Sequence, residues 1–139
     1  MSEENKAIID RLTQAFNDGD FDLLDELVAP DFVGHNPLSP EPIQGVEGLK
    51  GFFGAFHAAM PDIHHPSWTL IGEGDLVAIH MPIEGTFENE LMGIPPNREK
   101  ISLWMANIWK VVDGKAVEWW INMDTLSLMQ QLGVIPPMG

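Results

Sequence analysis

The chain of 139 residues contains no cysteine. That removes disulfides, thiolate nucleophiles, Cys-ligated zinc and iron–sulfur clusters at once. Basic residues are scarce as well. Lys6, Arg11, Lys50, Arg98, Lys100, Lys110 and Lys115 stand against 21 acidic residues, for a net charge of −14. They are scattered, and only Arg98 and Lys100 are close neighbours. A phosphate backbone needs a basic stripe, so no nucleic-acid partner is expected. The same field opposes anionic membranes and highly anionic cofactors. No apolar run approaches the ~18 residues of a membrane span, so no membrane partner is expected either. The stretch from Met1 to Lys6 lacks a basic segment followed by an apolar one, and a soluble, cytoplasmic protein is the expectation. A phosphate-cradling Gly loop, G-x-S-x-G, H-E-x-x-H and a paired-Asp calcium loop are all missing. His64 and His65 are adjacent on an extended stretch and point opposite ways, so they cannot share an ion. No metal site is expected.

What is there suits a single domain over residues 1–139 with one core. Ile8, Leu12, Ala15 and Phe16 share a helical face over residues 3–17. Phe21, Leu24, Leu27 and Val28 make a second, short helical stripe that Pro30 stops. Asp31 to His35 reads as extended. A third helix from Val46 to Ala59 repeats Leu49, Phe52, Phe53 and Phe56 at three and four. After Pro61 the period changes to two. Strands are expected over Ile63–Leu70, Leu76–Phe87, Lys100–Val112 and Lys115–Met123, with a turn over Ile71–Asp75. Asp113-Gly114 is a hairpin signal, and a closing helix runs from Thr125 to Leu132. Helices first and hairpin-connected strands afterwards predict an α+β fold with an antiparallel sheet. Strands this long must twist and curl. Helices on the concave side of a curled sheet leave a pocket, where ligand sites concentrate.

Four side chains stand out. His35 follows a short strand and precedes Asn36-Pro37. It either bridges strand and loop backbone or serves as a general acid or base at the pocket rim. His80 lies opposite the apolar set of its strand and belongs to an outer face or an oligomer contact. Asn107 interrupts the apolar run Leu103–Trp109. It is either a satisfied core amide or a donor aimed at a ligand carbonyl or enolate. Asp124 precedes Thr125 and is either a helix cap or a base.

The segments Ala15–Asp22, Val28–Pro37, Gly45–Leu49, Leu91–Pro96, Val112–Lys115, Asp124–Leu126 and Gln130–Gly133 are collinear over nearly the whole chain. They resemble the SnoaL-like polyketide cyclases of the nuclear transport factor 2-like superfamily. The resemblance implies a cone of curved sheet and helices, an apolar pocket, a homodimer joined through the sheet, and no cofactor. It also implies ring closure by an intramolecular aldol step. An Asp on the last strand would take the proton, aided by a His on the preceding strand. Here the matching positions are Ile121 and Asn107. Many relatives read Glu-His-Trp-Asp where this chain reads Glu118-Trp119-Trp120-Ile121, and isoleucine takes no proton.

The expectation is therefore a pocket for a small hydrophobic molecule, polyketide-like in kind. Val77, Ile79, Met81, Met105, Asn107, Trp119 and Ile121 line it from the sheet, and Phe16, Phe53 and Phe56 from the helices. If the domain is an enzyme, the catalytic candidates are Asn107 as oxyanion donor and His35 or Asp124 as a displaced base. Cyclase, isomerase or hydrolase chemistry would fit. The rival is a non-catalytic binding module or a dimeric interaction protein, because an Ile and a Trp in place of Asp and His favour affinity over proton transfer.

Overall fold

The computed structural model describes residues 2–136 and opens on the amphipathic helix that the sequence predicts. Helix α1 (Ser2–Asp18) buries Ile9, Leu12, Ala15 and Phe16. Gly19 ends it at φ 69°. The Gly19 N–H donates to the Phe16 carbonyl and the Asp20 N–H to that of Ala15, the paired bonds of a Schellman stop that glycine makes without strain. A 3₁₀ turn (Phe21–Leu23) leads into the short α2 (Leu24–Leu27). Strand β1 (Val28–His35) follows, then β2 (Ile43–Gln44), α3 (Gly45–Ala59), β3 (Thr69–Glu73), β4 (Leu76–Thr86), β5 (Lys100–Val112), β6 (Lys115–Trp120) and α4 (Thr125–Gln131). No helix among the described residues is long and apolar enough to cross a membrane.

The strands form one curved, unclosed sheet in the order β2-β1-β6-β5-β4-β3. The α+β class and the change of character after Pro61 follow the sequence reading. Pairing is antiparallel except between β1 and β6, which run parallel. β1 precedes α3 and reaches β6 only after the whole β3–β6 meander, and a parallel neighbour requires such a long crossover. Two boundaries also differ from expectation. The first strand after Pro61 runs from Thr69 to Glu73 rather than from Ile63 to Leu70. Pro66 supplies no amide to a ladder, and His64 makes only an isolated bridge to Glu84. β6 ends at Trp120 rather than Met123, where the Asn122 N–H turns to the Asn107 side chain. Pairing persists beyond it: the Ile121 N–H donates to the His35 carbonyl of β1, the Ala106 N–H to the Asn122 carbonyl, and Met123 bridges Met105.

Strand β5 sets the two faces. Ile101, Leu103, Met105, Asn107, Trp109 and Val111 are buried, whereas Lys100, Ser102, Trp104, Ala106 and Ile108 are exposed. Asp113 (φ 51°) and Gly114 (φ 76°) turn the chain into β6, as a type I′ hairpin requires. The inner face packs against α1 along β3 and β4, against α3 along β1, and against α4 along β5. One continuous core joins them, with Phe32, Leu49 and Phe87 fully buried.

Candidate functional site

Between α1, α3 and the inner face of β4–β6 lies a cavity of ≈ 60 Å³. The helices contribute Leu12, Thr13 and Phe16 from α1 and Phe52, Phe53 and Phe56 from α3. The sheet contributes Met81, Leu103, Met105, Trp109 and Trp119. Met60, Met123 and Leu128 complete the wall. Gly85 also borders it and lets the end of α3 approach closely. A Cβ there would stand 3.1 Å from the Met60 side chain and 3.2 Å from the Ile63 Cα.

Packing of this wall is aromatic and specific. The Trp109 and Trp119 indoles stack with centroids 4.4 Å apart at 11°, following their cross-strand register on β5 and β6. Phe53 meets Trp119 edge-on at 5.9 Å and Phe16 edge-on at 5.0 Å. Such offset and edge-to-face pairs are each worth about 0.5–1.5 kcal/mol beyond their buried area. Met60, Met81, Met105 and Met123 supply unbranched side chains that can rotate to reshape the space.

The sequence candidates divide into two groups. Phe16, Phe53, Phe56, Met81, Met105 and Trp119 border the cavity. Val77 and Ile79 lie on the same face but within solid core, where α1 packs against β4. Asn107 and Ile121 are buried to 1% and 4% exposure and do not border the cavity. The Asn107 Oδ1 accepts from the Asn122 N–H at 2.9 Å, which fixes the orientation of the amide. Its Nδ2 has no partner among the described residues, so the amide is only half satisfied. Ile121 instead borders a shallow outer groove with His35, Asn36, Pro37 and Trp120.

His35 and Asp124 are both committed outside the cavity. The His35 Nε2 bonds to the Glu118 Oε2 at 2.7 Å, and the ring stacks on Trp120 with centroids 5.7 Å apart. The Asp124 carboxylate accepts from the Ser127 N–H at 3.0 Å, as the N-cap of α4. His80 is exposed on the outer face and stacks on Trp104 at 4.7 Å and 13°.

The sequence reading missed the one histidine among the residues that border the cavity. His65 is buried to 5% exposure and borders the cavity. Its Nδ1 bonds to the Pro82 carbonyl at 3.0 Å. Burial pushes its imidazole down to about 4, with the Pro82 hydrogen bond pulling the other way. Asn17 clamps its backbone from α1: Asn17 Nδ2 donates to the His65 carbonyl at 2.9 Å, and the His65 N–H donates to Asn17 Oδ1 at 2.7 Å. The signal was present in the His64-His65 pair. Opposed directions rule out a shared metal and equally require that one ring faces inward. His57, on α3, bonds through Nε2 to the Phe16 carbonyl at 2.8 Å. Burial holds it below its ordinary range too.

The description SnoaL-like polyketide cyclase fits the chain over residues 6–132. Among solved structures the chain is 35% identical to IdmH, a candidate polyketide cyclase of Streptomyces antibioticus, at TM-score 0.78, covering 94% of this chain and 99% of that one. It is 32% identical to a candidate polyketide cyclase of Bacillus cereus ATCC 10987, at TM-score 0.79, covering 95% and 82%. AclR, a candidate hydroxylase of Streptomyces galilaeus, shares the fold at 24% identity and TM-score 0.85, covering 100% and 87%. No curated protein matches the chain. By the family match over most of its length, the chain belongs to the SnoaL-like polyketide cyclase family.

Proposed function

We propose that this domain takes up a small hydrophobic molecule of polyketide type in the cavity between α1, α3 and the sheet, and that it binds this molecule without the family's aldol chemistry. The observation that carries this reading is the cavity wall itself. It is built of Phe, Met, Leu and Trp side chains, while His35 and Asp124 are tied to partners elsewhere. The cavity is small, and four methionines line it. Their rotation is what admits a ligand. Relatives above 30% identity are candidate polyketide cyclases, which supports the ligand class. The test is a titration with naphthalene, read through the stacked Trp109–Trp119 pair, beside native mass spectrometry of the purified protein. A saturable fluorescence change and a retained small molecule are expected. No saturable change and no retained molecule would refute the reading.

We further propose a homodimer through the outer sheet face. Trp104 is 57% exposed and Ile108 40% exposed on β5, with the His80 ring flat on Trp104. Contiguous apolar surface of this kind marks an interaction site. Sedimentation at micromolar concentration should show a dimer, and Trp104→Glu should shift it to monomer while leaving the fold intact. A monomeric parent protein would overturn the assignment.

A further inference from the structure

The polar groups of the cavity say more about its ligand than the apolar ones. Thr13 is occupied, its Oγ1 donating to the Ile9 carbonyl at 2.8 Å. Glu84 borders the cavity, but its carboxylate lies 3.8 Å from both His64 Nε2 and Lys100 Nζ. Trp119 Nε1–H has no acceptor among the described residues, but it is sealed within the wall and offers no surface to the cavity. The His65 ring is different. His65 Nδ1 is bound to the Pro82 carbonyl, and a carbonyl can only accept, so Nδ1 carries the proton. That leaves the lone pair on Nε2, which makes no hydrogen bond among the described residues. The Asn17 clamp on the His65 peptide fixes where the ring stands.

Resting on the ligand reading above, we infer that His65 Nε2 is a hydrogen-bond acceptor for the cavity's ligand, so that the ligand is an apolar ring system bearing a hydroxyl. The hydroxyl donates to His65. Asn17 acts as a positioning residue through the His65 backbone. The neighbouring ionisable groups are His64, His57 and Glu84. Both histidines oppose a proton on His65, which keeps the ring neutral and accepting. A phenol meets this demand, whereas a carboxylate or phosphate would present acceptors to an acceptor. The match should be worth about tenfold in affinity.

The experiment compares naphthalene and 1-naphthol by calorimetric titration. The parent protein should bind 1-naphthol about tenfold more tightly than naphthalene. His65→Phe keeps a flat ring but removes the acceptor. It should erase the preference for 1-naphthol while retaining naphthalene binding. On the unaltered protein, ¹⁵N–¹H correlation of the imidazoles should show His65 protonated at Nδ1, and 1-naphthol but not naphthalene should shift its Nε2 resonance. Naphthalene binding with no preference for 1-naphthol, or an unmoved Nε2, overturns the inference and leaves the apolar site standing. Failure of both probes to bind overturns this inference and the ligand reading alike.

Discussion

Lowering the pH from about 7 to about 5 should weaken the fold by roughly 2 kcal/mol through His65 alone. The ring's value falls from an ordinary 6.5 to about 4 on folding. Between those values the unfolded chain binds a proton that the folded one refuses, so stability rises with pH across that window and is lost as pH falls through it. The full shift corresponds to roughly 3 kcal/mol. Its cause is burial, in agreement with an exposure of 5%. His57 adds a smaller effect of the same sign, again from burial. Asp62, held low mainly by the Thr86 N–H, acts in the same direction only at more acid pH. Net charge works against both, because a chain at −14 repels itself less as it approaches its isoelectric point near 4.4. Urea unfolding at several pH values, in parent and His65→Phe proteins, separates the contributions. The parent curve should slope between about pH 6.5 and pH 5 and the variant curve should be nearly flat there. Equal slopes would show that His65 is not buried neutral.

The parent protein should also show negligible aldol cyclisation of a polyketide-type substrate. General acid–base assistance contributes about 10²–10⁴-fold, and the residue at the matching position is Ile121. None of the alternatives replaces it. Asp124 is bound to the Ser127 amide and His35 to Glu118. His65 borders the cavity, whereas the position matching the family's base, Ile121, does not, so His65 stands elsewhere than that base. Ile121→Asp should raise cyclisation by about 10²-fold or more only if the cavity opens far enough to bring such a substrate to residue 121, which borders the outer groove instead. The new carboxylate would stand against Asn107, whose Oδ1 already holds the adjoining Asn122 amide. Asp124→Ala should cost about 0.5–2 kcal/mol of stability as a lost cap, without altering turnover, and His35→Ala should leave turnover unchanged. Robust cyclisation by the parent, abolished in Asp124→Ala, His35→Ala or His65→Phe, would show that the base has moved.

The local chemistry of the chain was legible one residue type at a time. Gly19 and Gly133 marked helix ends, and both sit at positive φ. Asp113-Gly114 marked the hairpin. Met105 and Asn107, placed on the inner side of β5 by the sequence, are both buried there. Less visible was β3, because Leu70 and Ile71 look alike to a periodicity argument while Pro66 decides where a ladder can begin. For the site, size and polarity predicted that Phe16, Phe53, Phe56, Met81, Met105 and Trp119 would meet. They could not say that Val77 and Ile79, with the same parity, would be sealed by α1.

Absence of cysteine, the excess of acid, the helix stripes and the period change at Pro61 were determined by the sequence alone, because each depends on residue type and spacing along one segment. Which polar atoms meet the cavity was decided only by the tertiary structure. His65 is one of a pair of identical neighbours, and nothing local selects it over His64. Asn17 on α1 reaches its peptide across the chain, the Pro82 carbonyl on β4 takes its Nδ1 proton, and Phe16 covers its ring at 4.9 Å. Those three contacts come from distant segments, and only their convergence makes one histidine buried, neutral and accepting while its neighbour stays at the surface.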